Sequence, residues 1–464
     1  MAEKSAAVAE KFSGKAAQVC IMPECGGVFG LNERIYVCPK CGGPLEVECR
    51  APEGVLASAL RARWDARAVS HDPRDKSGVW RYRELLPFEE PVACVTLFEG
   101  NTPLYEAPRS AHYAGLSALR LKHQGCNPTG SFKDTGMTVA VTQAVALGAK
   151  TVVCASTGNT AASLAAYAAR AGLQAAILLP RGQITASKLA QSMDYGAAAF
   201  ELDGNFDDCM RLIQELGAEP SIYVANSINP FRIEGQKTVA FELMAQCGWH
   251  APDQIVVPGG NMGNSSALGK GFDEMLALGL IDRVPKLNII QAEGTAPLAT
   301  LFASLGDKNA EHTARLPEGA LAAVARPRTL ATAIKIGAPV SWRKSLRAVL
   351  RSGGQIISVS EQEIADAKAM IGRDGIGCEP ASATTVAGIR RLVASGHIRR
   401  DENVVAVLTG HVLKDPDYVS QYHRGTLALE TEGGTVKIAG TFANVPLRVA
   451  ANKTALRDAL EKRR

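Results

Sequence analysis

Short β-branched runs recur along the chain at Val152-Val153-Cys154, Ala176–Leu179, Ile222–Val224, Ile255–Val257, Leu287–Ile290 and Val404–Leu408, separated by helical stretches rich in alanine. This alternation predicts an α/β fold of parallel sheets covered by helices on both faces. Ligands in such folds sit beyond the carboxyl ends of the strands, so the loops that follow these runs are the places to look for chemistry. Ahead of the first run, Pro128 and Gly130 mark a turn, and an apolar stretch from Thr135 to Ala149 reads as a helix. Lys133 then falls in that helix's first turn, where a cation opposes the helix dipole. Partial burial there would lower its pKa and supply free amine for Schiff-base chemistry, although a surface lysine would fit the local pattern equally well.

The chain has 464 residues, enough for two or more domains. A formal net charge of +5 carries no long block of Lys or Arg, which disfavours a nucleic-acid partner. No stretch of about 20 apolar residues predicts a membrane span. Glu3 and Glu10 interrupt the N-terminus and argue against a secretory signal, and scattered cysteines fit reduced thiols in a cytoplasmic protein. Cys20-x4-Cys25 and Cys38-x2-Cys41 are each followed by a Gly-Gly pair. They read as two knuckles joined by a short strand pair, either closing a tetrahedral zinc site or folding as a ribbon without metal. The expected organisation is a zinc-ribbon-like segment over 1–50, a wrapping connector over 51–97, a catalytic region over 98–425 with a smaller subdomain at about 145–225, and a tail over 426–464. The tail shows a turn at Glu432-Gly433-Gly434 and an amphipathic helix from near Thr454 that is expected to pack on the body.

Four loops carry candidate chemistry. Ser156-Thr157-Gly158-Asn159-Thr160 opens a helix over Ala161–Ala171 and aims amides and hydroxyls at one point, as a plain helix cap also would. Pro258-Gly259-Gly260-Asn261-Met262-Gly263-Asn264 precedes a helix from near Ser265 and has the makings of a phosphate cradle. It lacks the Gly-Lys-Ser/Thr ending and the dinucleotide spacing, so ATP and NAD are poor candidates. In Asn226–Thr238, Arg232 offers a bidentate contact to a second phosphate, unless Glu234 pairs with it. Thr409-Gly410-His411 ends the last strong strand and points the neutral hydroxyl of Thr409 into the same crevice, with His411 expected to be structural. Glu379 starts a helix and is expected to serve as a cap or a supporting residue.

With these residues assembled, the chain resembles the threonine synthases, a family of fold-type II pyridoxal-phosphate enzymes. The resemblance rests on Glu99–Leu104, Pro128–Asp134, Ser156–Ser163, Asn226–Thr238, Gly260–Asn264, Glu379–Ala383 and Thr409–Pro416, in that order over about residues 78–425. It implies that Lys133 carries pyridoxal 5′-phosphate as a Schiff base and later acts as general base. It further implies that Asn159 lies against the ring's 3′-oxygen, that Gly260, Asn261, Met262, Gly263 and Asn264 hold the cofactor phosphate, and that Thr409 bonds the pyridine nitrogen. Asn226, Ser227, Arg232 and Thr160 would bind the phosphate of O-phospho-L-homoserine, and Ser156 and Thr157 its carboxylate. The implied reaction is γ-elimination of phosphate followed by addition of water at Cβ, in a homodimer. Knuckle spacing and tail length depart from the family's usual pattern. Rivals are a serine or threonine dehydratase, a phosphoserine-using cysteate synthase, and a non-enzymatic protein whose ribbon binds a partner.

Overall fold

The computed structural model describes residues 14–50, 54–156, 158–181, 186–306, 308–309 and 315–462. Near the N-terminus, β1 (Ala16–Cys20) lies between β2 (Val28–Phe29) and β3 (Leu45–Cys49), so the expected strand pair is a three-stranded antiparallel sheet. This piece is too small to own a large core and leans on the body instead. Glu46 pairs with Arg347 at 2.6 Å, Lys344 Nζ donates to the Leu45 carbonyl at 2.5 Å, and Tyr36 Oη accepts from the Val224 amide at 2.8 Å. The segment that follows is led by α1 (Ala57–Ala68). Trp64 stacks on Trp249 with centroids 5.8 Å apart and meets Tyr82 edge-on at 5.0 Å, an arrangement that anchors a long segment with few residues.

Two sheets form the body. Strands β4 (Leu104–Glu106), β5 (Arg120–His123), β10 (Gln254–Pro258), β11 (Lys286–Ala292), β12 (Ile356–Val359) and β13 (Val404–Leu408) build a six-stranded sheet in the order β12-β11-β10-β13-β5-β4. Every pair is parallel except β4–β5. Strands β6 (Thr151–Ala155), β7 (Gln174–Pro180), β8 (Ala198–Leu202) and β9 (Ile222–Val224) form a second, wholly parallel sheet ordered β8-β7-β6-β9. Six strands coincide with the apolar runs, while β4, β5, β8 and β12 had no comparable signal. The covering helices that matter below are α2 (Lys133–Ala146), α3 (Asn159–Ala171), α4 (Phe231–Gln246), α5 (Gly263–Ala277), α6 (Trp342–Ser352), α7 (Glu361–Arg373), α8 (Pro380–Ala394) and α9 (Pro416–Arg424).

Strand order decides where a ligand can enter. The chain runs β6-β7-β8 in one direction and then returns to place β9 on the other side of β6; likewise β10-β11-β12 runs outward and β13 returns beside β10. Each reversal leaves a crevice between the loops that follow the two central strands. Those four loops begin at Ser156, Ala225, Gly259 and Thr409, and all four carry candidate residues. The tail departs from expectation. Its hairpin turns at Glu432-Gly433, between Ala428–Thr431 and Gly434–Lys437, but the helix Lys453–Glu461 has no buried residue and leaves Leu456 and Leu460 exposed. Its amphipathic pattern therefore has no counterpart surface among the described residues.

Candidate active site

The lysine loop is held rigidly from within. Asp134, fully buried, accepts from the Thr129 amide at 2.7 Å, from Thr129 Oγ1 at 2.6 Å and from Ser163 Oγ at 2.6 Å, which ties the turn to both α2 and α3. Burial pushes its carboxyl up to about 6. Gly130 turns the chain with φ +84°, and the Phe132 amide donates to the Thr409 carbonyl at 2.9 Å, so this loop is bonded directly to the end of β13. Helices α2 and α4 cross at glycines: a Cβ on Gly235 would lie 1.9 Å from the Thr135 carbonyl oxygen, which only glycine avoids. That close approach brings Lys133 and Arg232 within electrostatic reach. Burial pushes the Lys133 amine down to about 7, Arg232 adds to the shift and Glu379 opposes it.

The glycine loop fits a phosphate. Met262 adopts φ +65° at the N-cap of α5, which begins at Gly263 rather than near Ser265. Among the described residues, the amides from Gly260 to Ser265 have no acceptor outside the helix, and the first turn of a helix has none within it. Asn264 is 6% exposed, yet neither polar atom of its side chain has a partner. Such unpaired buried groups are costly unless a ligand satisfies them, and an anion at a helix N-terminus does so. Asn261 is spent differently. It donates to Ser227 Oγ at 2.9 Å and accepts from the Val340 amide at 2.8 Å, fixing the cradle to the polar loop.

Opposite the cradle, Asn159 and Thr409 converge on one carboxylate. Asn159 Nδ2 donates to Glu379 at 2.9 Å, Thr409 Oγ1 donates to it at 3.1 Å, and Ser382 Oγ lies 3.1 Å from the same threonine hydroxyl. Glu379 is 1% exposed, and burial raises its pKa. It stands at the N-cap of α8 but makes no side-chain cap bond, so its role is in this network and not in ending the helix.

The polar loop after β9 divides into scaffold and site. Asn226 spends its amide on Ala155, accepting from the backbone N–H at 3.0 Å and donating to the carbonyl at 3.2 Å. Glu234 does not pair with Arg232; it pairs with Lys237 at 2.6 Å and with Lys270 at 3.0 Å. Arg232 is 2% exposed; its guanidinium donates to the Ala225 carbonyl at 3.0 Å, its Nε is unpartnered, and it pairs with no carboxylate among the described residues. Burial lowers its pKa to about 10, and it remains a cation. A buried guanidinium without a counter-ion is an anion site in waiting. Ser156 Oγ accepts from the Gly158 amide at 3.3 Å, Thr160 is buried at the start of α3, and Thr157 lies outside the described residues. Sequence reasoning passed over Lys414. Its Nζ donates to Gln191 at 2.5 Å, its stem sits against Gly130, and burial lowers its pKa while Asp134 and Glu379 oppose. Its place five positions after Thr409 was the available signal. His411 stacks on His123 and accepts from the Leu413 amide, as expected of a structural residue.

The four ribbon cysteines also converge. Their sulfurs lie within 4.8 Å of one another, with Cys20–Cys41 and Cys25–Cys38 each at 3.5 Å. A tetrahedral zinc with ~2.3 Å bonds needs sulfurs about 3.8 Å apart, so this set fits a structural zinc.

A lysine of lowered pKa in a loop bonded to the end of β13, together with a glycine loop suited to an anion, fits the chemistry of pyridoxal phosphate. The family described as Pyridoxal-phosphate dependent enzyme matches residues 95–410. The fold agrees: an L-serine ammonia-lyase from Rhizomucor miehei superposes with a TM-score of 0.58 at 18% identity, covering 72% of this chain and 100% of that one. Within the class, this chain belongs to the threonine synthases. It is 44% identical over 424 residues to threonine synthase of Methanocaldococcus jannaschii, spanning 90% of this chain and 98% of that protein. The Methanosarcina acetivorans threonine synthase is 46% identical over 402 residues, spanning 85% of this chain and 92% of its own length.

Proposed function

We propose that the chain turns O-phospho-L-homoserine and water into L-threonine and phosphate in the crevice between the two sheets. The observation that carries this reading is Arg232: a buried cation without a carboxylate, beside a lysine already supplied with its own phosphate cradle. One anion belongs to the cofactor at Gly260–Asn264, and the second site asks for a phosphorylated substrate. Arg232 and the Ser227 hydroxyl hold that phosphate and stabilise its departure, with Asn226 setting their position through its bonds to Ala155. Ser156 and Thr157, ahead of α3, receive the substrate carboxylate, and the Thr160 hydroxyl adds to the phosphate site. Bound pyridoxal phosphate supplies the electron sink that makes protons at Cα and Cβ removable. Lys133, a free amine above pH about 7, takes the Cα proton. Asn159 holds the ring's 3′-oxygen, while Thr409 meets the ring nitrogen with a neutral hydroxyl steadied by Ser382 and Glu379.

The same reading makes 1–50 a zinc-holding ribbon, 51–97 a wrapping connector, 98–425 the catalytic region and 426–464 a tail, in a cytoplasmic homodimer. The test is phosphate release from O-phospho-L-homoserine and from O-phospho-L-serine by the purified holoprotein. Release with threonine formed from the first supports the reading. Release from phosphoserine alone would replace it with a cysteate-synthase activity.

A further inference from the structure

Away from Lys133, a cavity of about 340 Å³ opens between α7, α9 and the segment 440–444. Its walls include Lys368, Arg373 and His423 but no carboxylate. Lys368 has no hydrogen bond or ion pair among the described residues, and burial lowers its pKa while Cys378 and Asp415 oppose. Tyr418 also lines the cavity. It is 6% exposed and its hydroxyl has no partner. The remaining wall, with Ala369, Ile376 and Phe442, is apolar. Segment 440–444 closes this wall through the Phe442 amide bonded to Tyr422 Oη at 3.1 Å and the Asn444 amide bonded to His423 Nδ1 at 2.8 Å. A buried, unpartnered hydroxyl beside a lysine without a protein partner, in a partly open and largely apolar space, leaves a demand for an anionic acceptor.

We propose that this cavity is a second ligand site, taking a small organic carboxylate whose head meets Lys368 and the Tyr418 hydroxyl and whose apolar body rests on Ile376, Ala369 and Phe442. Lys368 and Arg373 in the lining favour an anion, although Asp366, which accepts from the Tyr422 hydroxyl at 3.0 Å, and Asp415 act on the same wall, and the apolar wall disfavours a bare inorganic ion. The site borders the catalytic network. Gly377 and Cys378 in its wall lead directly into Glu379, and Cys378 pairs with His411, two residues past Thr409. Val412, also in the wall, packs so closely on Gly377 that a Cβ there would sit 2.8 Å from it. Occupancy therefore bears on the strand ends that carry Glu379 and Thr409, and the ligand regulates the enzyme by shifting substrate KM.

The holoprotein is titrated with 4-methylpentanoate, with benzoate and with inorganic phosphate by calorimetry, and phosphate release is followed at saturating ligand. Saturable binding of an organic carboxylate is expected, weakened about tenfold by Lys368→Met and more modestly by Tyr418→Phe. Lys368→Met keeps its unliganded activity but loses the KM shift. Lys133→Ala protein still binds the carboxylate, which separates this site from the catalytic one. Binding that ignores Lys368→Met, binding displaced by substrate in simple competition, an unchanged KM at saturation, or binding of inorganic phosphate alone would each overturn the proposal.

Discussion

Asn159 and Glu379, 220 residues apart in sequence, meet at 2.9 Å with the amide donating to the carboxyl. Thr409 donates to the other oxygen of the same group. The carboxyl thereby sets the orientation of both residues proposed to touch the cofactor ring. Glu379→Ala would strand two donors in a buried space and leave a void beside Gly410, whose Cβ would otherwise strike that carboxyl. Each unsatisfied buried group costs about 1–3 kcal/mol, so cofactor affinity of the apo protein is expected to fall tenfold or more. Glu379→Gln keeps the side chain's shape and one acceptor oxygen in that space, so affinity is expected to stay within a few-fold. Fluorescence titration of apo protein with pyridoxal phosphate reads both variants. Equal affinity for wild type and Glu379→Ala would take the carboxyl out of the network.

Cofactor capture by Lys133 has a predictable pH dependence. Burial places its pKa at about 7, so it is ammonium below that pH and free amine above it. The rate of pyridoxal-phosphate incorporation into apo protein should rise about tenfold from pH 6 to pH 8 and then level off. An ordinary lysine would keep rising beyond pH 9. Arg232→Leu removes a cation that helps depress the amine, so the midpoint should move upward while burial limits how far. A profile still climbing at pH 9 in the wild type would contradict the buried-amine account.

The legible parts of this fold were those where burial coincides with apolar residue types. Strands β10 and β13 are fully buried and carry the aliphatic runs Ile255–Val257 and Val404–Leu408. Strand β5, Arg120-Leu121-Lys122-His123, lies inside the sheet between β13 and β4 but carries a fully buried lysine whose charge is met by Glu242 from α4. No periodicity announces a strand whose charge is neutralised by a residue 120 positions away. Strand β8 is half exposed at the sheet edge and its pattern is weak for that reason. In the site, Lys133 and the glycine loop were visible because turn chemistry flags them. Glu379 is legible only as a cap or a supporting residue, since its partners Asn159 and Thr409 are brought to it only by tertiary packing. The tail helix shows the opposite error: an amphipathic pattern exists without a surface to bury it.

Arg232 should separate substrate recognition from cofactor binding. Its guanidinium is buried without a carboxylate, and the proposed occupant is the substrate phosphate. Loss of a bidentate, desolvated charge contact is worth about 3–4 kcal/mol, so kcat/KM for O-phospho-L-homoserine is expected to drop 10²–10³-fold in Arg232→Leu. Arg232→Lys keeps the charge but not the fork and should recover part of that loss. Steady-state phosphate release measures both. Unchanged kcat/KM in Arg232→Leu would remove the residue from the phosphate site.

Metal removal tests the ribbon. Zinc at Cys20, Cys25, Cys38 and Cys41 would cross-link the two knuckles, and such sites contribute folding energy directly. One zinc per chain is expected by elemental analysis. Chelation or Cys38→Ser should lower the melting temperature by loosening β3, whose Glu46 pairs with Arg347 and whose Leu45 carbonyl binds Lys344. The ribbon also reaches the site, because Tyr36 accepts from the Val224 amide two residues before Asn226. Substrate KM should therefore rise while the visible absorbance of bound cofactor persists, since the cradle at Gly260–Asn264 sits on β10 and α5. A metal-depleted protein with unaltered melting and unaltered KM would show that the ribbon folds without the ion.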